Sequence, residues 1–268
     1  MSANHERNDR KRGWDPSRAG GGKPHRGRPF RASEADAKDW VWGVHAVEAA
    51  LANAGRGEVK RMLATPERAK KYEGRASLEI FDAQDIARQL PAGAVHQGLA
   101  LKIEPPPALS IDEIGEDASG VLVMLDQITD PQNVGAIFRS AAAFGAKGVI
   151  LQDRHAPALS GALAKAAAGA IDKVPHAVAV NLSRALERLA DLGWRAVGLD
   201  GSAEATLEEA LDSRPTVLVL GSEGEGIRRL VAEHCDTLAK IPMPGGFESL
   251  NVSNAAAVAL YEASRARP

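Results

Sequence analysis

Apolar residues along this chain gather in short runs separated by helix-like polar stretches, and the alternation becomes regular after Val121. There "VLVMLDQI", "GVILQ", "RAVGLD", "TVLVLG" and "TLAKIPM" read as strands, with apolar runs too continuous to leave one face in water. Strands of this kind, alternating with helices, predict a largely parallel sheet covered on both faces. The helices fall on "DPQNVGAIFRSAAAFG", Leu182 to Gly193, "IRRLVAEHC" and "NVSNAAAVALYEASRA". In the first, Asp130 is the expected N-cap, Pro131 suits the first helical position and Gly145 follows the end.

A smaller pattern precedes this one. "VWGVHAVEAAL" predicts an amphipathic helix, "VKRMLAT" a strand, "AQDIARQL" a short helix stopped by Pro91, and "GLALKI" a strand. The predicted order is thus a small α/β domain over 39–104, a linker over 105–119 and a larger α/β domain over 120–268. The linker rests on "EPPPALSIDEIGEDASG", whose prolines and acids favour an extended chain.

Charge adds one feature. Residues 1–38 hold ten Lys/Arg against five acids, a balance of +5 in a chain whose net charge is −2. This segment has too little apolar matter to order itself. It reads either as a solubilising leader or as a basic arm that adds affinity for RNA without sequence specificity. Cys235 is the only cysteine, which excludes an internal disulfide and fits a reducing compartment. It is expected to be a buried helix residue, and no His or Cys stands at zinc-ligand spacing from it. No apolar run reaches transmembrane length. His96 is expected to make a local loop hydrogen bond.

The candidate chemistry lies at three junctions where strands end, the edge at which open α/β sheets collect ligands. The first is Asn133-Val134-Gly135 leading to Arg139, with Gly135 one turn away leaving only backbone before the guanidinium. The second is "GSEGEG", Gly221 to Gly226. The third is "IPMPGGFESLNVSNAAA", Ile241 to Ala257. Neither glycine run has the Gly-Lys-Ser/Thr ending of a phosphate-binding loop, and "GSEGEG" puts a carboxylate where a pyrophosphate needs bare backbone.

Taken in order, N-x-G-x-x-x-R, strand-G-S-E-G-x-G and I-P-M-x-G-x-x-x-S-L-N-V-S-N-A resemble the three signature motifs of the SpoU (TrmH-like) branch of the SPOUT RNA methyltransferases. The resemblance runs from Val121 to Arg267. The small domain is similar to that family's RNA-binding domain, and "WGVHAVEAAL" and "VHQGLAL" resemble the ribosomal-RNA guanosine ribose methyltransferases in particular. "PGGFESLN" departs from the pattern at Phe247, which bears on substrate choice.

The resemblance implies a trefoil-knotted, largely parallel methyltransferase domain behind a smaller N-terminal α/β RNA-binding domain. It implies S-adenosylmethionine as cofactor, with Gly221, Ile241 and Leu250 at cofactor-contacting positions. Arg139 is the implied catalytic residue, with Asn133 and Glu223 beside it and Ser249 and Asn251 as further candidates. Arginine holds its proton to high pH, so its role divides between base and holder of a phosphate or developing alkoxide. The polar crowd before the last helix is then a cofactor-pocket wall and not a set of competing helix caps. The implied reaction is methylation of a ribose 2′-hydroxyl in RNA, a guanosine of large-subunit ribosomal RNA first and transfer RNA second. A silent ribosome-assembly factor is the rival outside catalysis. A homodimer, a cytoplasmic location, and no membrane or metal partner complete the expectation.

Overall fold

A computed structural model describes residues 39–154, 156–245 and 249–266. The basic segment 1–38 and Phe247 lie outside the described residues. In chain order the elements are β1 (Trp40–Trp42), α1 (Val44–Ala52), β2 (Arg61–Ala64), α2 (Pro66–Ala69), β3 (Leu78–Ile80), α3 (Ala83–Gln89), β4 (Leu99–Lys102) and α4 (Ile111–Gly115). There follow β5 (Val121–Leu125), α5 (Pro131–Ala143), β6 (Gly148–Gln152), α6 (Gly161–Ala167), β7 (His176–Ala179), α7 (Leu182–Asp191) and β8 (Arg195–Leu199). The last are α8 (Leu207–Ala210), β9 (Thr216–Leu220), α9 (Arg229–Ala232), β10 (Thr237–Ala239) and α10 (Val252–Arg265).

Two sheets result. The first has the order β1-β4-β2-β3 and mixes antiparallel and parallel pairs. The second has the order β10-β8-β9-β5-β6-β7, and every pair in it is parallel. Its strands alternate between two cores, as the two-residue side-chain period requires. Val121, Val123 and Leu125 face α5, α6 and α10, while Leu122 and Met124 face α4, α7 and α9.

Several elements differ from the sequence reading. Trp40-Val41-Trp42 is a strand, because Gly43 at φ +89° breaks the chain before α1 can extend back through it. The helix expected through "IRRLVAEHC" is only Arg229–Ala232, so Cys235 lies beyond it, after the turn at Glu233 and His234, half-buried, with its thiol pushed up to about 12 chiefly by burial. The linker is not extended throughout. A capping box between Ser110 and Glu113 starts α4, Ile114 is buried in the second core, and Trp194 Nε1 donates to Gly115 O at 2.9 Å. Elements α6 and β7 arise from "SGALAKAAAGAIDK" and "HAVA", whose small residues carry little periodic signal.

Small residues set the packing behind the site. A Cβ at Gly135 would lie 2.6 Å from Ala166 Cβ and 2.7 Å from Leu163 O, so α6 crosses α5 there at backbone distance. The small sheet is locked to the large one by Arg56, whose Nε and Nη2 donate to Asp172 at 2.6 and 3.2 Å. Both side chains are 1% exposed. Asn53 also donates to Asp172, and Arg56 Nη1 to Glu104 O, so the buried pair is fully hydrogen-bonded.

Candidate active site

The carboxyl ends of β8, β9 and β10 open into a pocket of about 620 Å3. Three stretches wall it: Leu199 to Gly201, the loop from Gly221 to Gly226, and Ile241 and Met243 together with Ser249 to Asn251. The chain on either side of the third stretch is held by the start of α8 and by the Gly221 loop. Lys240 N donates to Ala205 O at 2.9 Å and Leu207 N donates to Lys240 O at 2.8 Å. Farther on, Val252 N donates to Glu223 Oε1 at 3.1 Å.

The Gly221 loop doubles back on itself. Ser222 N donates to Gly226 O at 3.1 Å and Gly226 N to Ser222 O at 3.0 Å. Gly224 and Gly226 take φ of +99° and +68°, in the region that side chains with a Cβ avoid. A Cβ on Gly221 would stand 2.0 Å from Gly226 C, so glycine is required where the two arms touch.

Glu223 is the centre of the polar cluster at this pocket. Its Oε1 accepts from Asn251 Nδ2 at 2.6 Å, from Asn133 Nδ2 at 3.4 Å and from Val252 N. Asn251 Nδ2 also donates to Asn133 Oδ1 at 3.1 Å. The same Asn251 caps α10, its Oδ1 accepting from Ser253 N at 3.0 Å and Asn254 N at 3.4 Å. The crowded junction therefore has one cap and not several, and that cap is itself part of the pocket wall. Glu223 Oε2 has no partner among the described residues, which leaves a carboxylate oxygen able to accept from a hydroxyl.

The cluster draws on all three junctions, but not on every expected residue. Ser249, Ile241, Leu250 and Gly221 line the pocket. Arg139 is exposed on α5 and makes no side-chain hydrogen bond or ion pair among the described residues. Six residues of helix separate it from Asn133, about 9 Å along the axis. The open space expected in front of its guanidinium at Gly135 is filled by α6; that glycine serves helix packing. His96 behaves as expected: its Nδ1 accepts from Gly98 N at 3.1 Å, and burial lowers its pKa.

One residue escaped the sequence reading. Asp126, fully buried at the end of β5, accepts from Arg228 N at 2.9 Å and Arg228 Nε at 2.8 Å. This pair ties the end of the Gly221 loop to the neighbouring strand. Its signal was a lone carboxylate closing the apolar run "VLVMLD". Among the described residues no group of three or more His, Cys, Asp or Glu could hold a metal ion, and no helix is long and apolar enough to cross a membrane.

Comparison with known proteins fits this geometry. The model of the SpoU rRNA Methylase family matches residues 120–261. A curated relative from Mycolicibacterium gilvum, named an uncharacterized tRNA/rRNA methyltransferase, is 44% identical over 197 residues, 71% of this chain and 62% of its own length. The chain spans about three fifths of the length of the curated relatives it matches first. The SpoU methyltransferase AviRb from Streptomyces viridochromogenes, solved with the cofactor AdoMet, is similar at a TM-score of 0.72 and 28% identity, covering 84% of this chain and 89% of that one. An AdoMet-bound rRNA methyltransferase from Sinorhizobium meliloti is similar at a TM-score of 0.70 and 25% identity, covering 84% and 86%.

Proposed function

This chain belongs to the SpoU rRNA methylase family, and we propose that it transfers a methyl group from S-adenosylmethionine to a ribose 2′-hydroxyl of RNA. The observation that carries the reading is the Asn133–Glu223–Asn251 cluster at the mouth of a 620 Å3 pocket. Such a volume suits a small organic cofactor. The pocket fits this one: apolar Leu199, Ile241 and Leu250 offer surface for a ring, and the glycine loop offers bare backbone for its edge. When bound, S-adenosylmethionine supplies a methyl on a cationic sulfur that leaves as a neutral thioether, so the protein's task is the hydroxyl proton.

Glu223 Oε2 accepts a hydrogen bond from the attacking hydroxyl and takes its proton as the oxygen gains the methyl. Asn133 and Asn251 fix the carboxylate by holding its other oxygen, which leaves Oε2 with one orientation. Arg139 grips an RNA phosphate, a use that suits an always-charged planar fork better than proton abstraction does. Its side chain tilts toward the helix N-terminus and so back along α5 toward Asn133.

We take large-subunit ribosomal RNA, at a guanosine, as the substrate. The support is the small domain beside the catalytic one, an arrangement shared over 84% of the chain with a protein named an rRNA methyltransferase. The chain acts as a homodimer in the cytoplasm. Phe144, Val258 and Tyr261 are exposed on adjoining parts of α5 and α10, and Phe144 and Tyr261 meet edge to face at 5.9 Å. These residues are where we place the pairing surface.

The test supplies the full chain with methyl-labelled S-adenosylmethionine and separate ribosomal and transfer RNA from cells lacking the gene. Label is expected in large-subunit ribosomal RNA. Label confined to transfer RNA would replace the substrate, and label in neither would overturn the catalytic reading.

A further inference from the structure

A second groove, of about 1050 Å3, opens on the same sheet edge and takes no part in the reaction above. The ends of β5, β6 and β7 form its floor at Gln127, Gln152 and Val180, and α7 and α9 form its wall. It lies on the α7 and α9 side of the sheet, away from the α5 and α10 patch assigned to pairing. Arg228 lines it, while Gly226, two residues back, lines the cofactor pocket. The two concavities therefore adjoin along one edge.

Its charges do not cancel. Arg228 is committed to buried Asp126, Arg229 to Glu233 at 2.8 Å, and the groove acid Glu187 accepts from His234 Nε2 at 2.9 Å. Arg154 and Arg184 line the groove with no side-chain partner among the described residues. Beside them Val180 and Leu230 are 74% and 58% exposed. On the floor, Gln152 Oε1 is buried and unpartnered among the described residues. A simple anion would need only the arginines. Free guanidinium groups, bare apolar surface and an unsatisfied amide oxygen together match a nucleic-acid strand, with its phosphates, base faces and base-edge amino groups.

We propose that this groove holds the RNA strand flanking the target nucleotide, phosphates on Arg154 and Arg184 and a base against Val180 and Leu230. The inference rests on the reading that the chain acts on RNA. The test measures binding of a fluorescent single-stranded oligoribonucleotide to the full chain across a salt series, with cofactor binding followed by calorimetry on the same samples. R154A/R184A should weaken RNA binding roughly tenfold and flatten the slope of log K against log salt by about 1.4, near 0.7 for each lost phosphate contact. R154K/R184K should keep most of the slope, because counterion release follows charge. V180A/L230A should weaken binding without moving the slope. Cofactor affinity should stay at the wild-type value in all three. Wild-type affinity and slope in R154A/R184A would overturn the groove alone and leave the enzyme reading standing. A wild-type chain that binds no RNA would remove both.

Discussion

Gly221→Ala is the most exacting single substitution for the pocket. The added methyl would sit 2.0 Å from Gly226 C, 2.2 Å from Gly226 O and 2.2 Å from Ile227 N. Carbon atoms rest at about 3.5–4.0 Å, so the two arms of the loop must part by more than 1 Å. All three obstacles are backbone, and none can swing aside. Parting the arms breaks the reciprocal Ser222–Gly226 hydrogen bonds, worth about 1 kcal/mol each, and overpacking adds about 1–3 kcal/mol. Because the loop is exposed, most of this strain is relieved by moving the pocket wall and not by unfolding the sheet. S-adenosylmethionine affinity, read by calorimetry, should fall by at least tenfold, equal to about 1.4 kcal/mol, with only a small loss of thermal stability. Gly224→Ala is the control. It meets nothing within 4 Å, and its φ of +99° costs only local strain of about 1–3 kcal/mol. Wild-type affinity in Gly221→Ala, or equal damage from Gly224→Ala, would refute the reasoning.

Arg139→Ala and Arg139→Lys should both lose about 100-fold in single-turnover methylation, near 2.7 kcal/mol, with cofactor affinity unchanged. Sedimentation of the same variants checks pairing, and near-normal turnover by the Ala form would remove Arg139 from the mechanism. Asp172→Ala leaves Arg56 buried without its partner and should cost about 3–5 kcal/mol in urea unfolding, whereas a loss near zero would mean the pair is hydrated. His176 is 4% exposed, and burial first and Arg56 second bring its pKa to about 4. The unfolded chain takes up this proton near pH 6.5 and the folded chain only near 4, so stability falls as pH drops through that window, by up to about 3 kcal/mol. His176→Leu should flatten the curve there, and an unchanged curve would contradict the burial argument.

Five of the six strands of the large sheet were legible because they read as apolar runs, and only the edge strand β7 was missed. The ends of α5 were legible too, since Asp130, Pro131 and Gly145 each have one local role. What stayed hidden depends on partners distant in sequence. Val41 and Trp42 looked helical until β4 claimed them for a strand, and α6 is built largely of alanine whose purpose appears only where it crosses Gly135. In the site, motif order pointed to Asn133, Glu223 and Asn251, residues 90 and 28 positions apart that meet through hydrogen bonds. It also set Arg139 beside them, whereas in the structure Arg139 stands exposed six residues farther along α5 and makes no side-chain hydrogen bond or ion pair among the described residues. The Asp126–Arg228 tie spans 102 positions, so the lone carboxylate closing "VLVMLD" could not name its partner.

The central claim is that Glu223, held by Asn133 and Asn251, serves methyl transfer to a ribose oxygen. Its most direct test is mass spectrometry of nucleosides from ribosomal RNA treated with the full chain and S-adenosylmethionine, run in parallel with Glu223→Gln. The account predicts a 2′-O-methylated nucleoside from the wild-type chain and a yield about 100-fold lower from the variant, which keeps the shape of the side chain but not its proton-accepting charge. A methyl group found on a base, or equal yields from the two proteins, would contradict it.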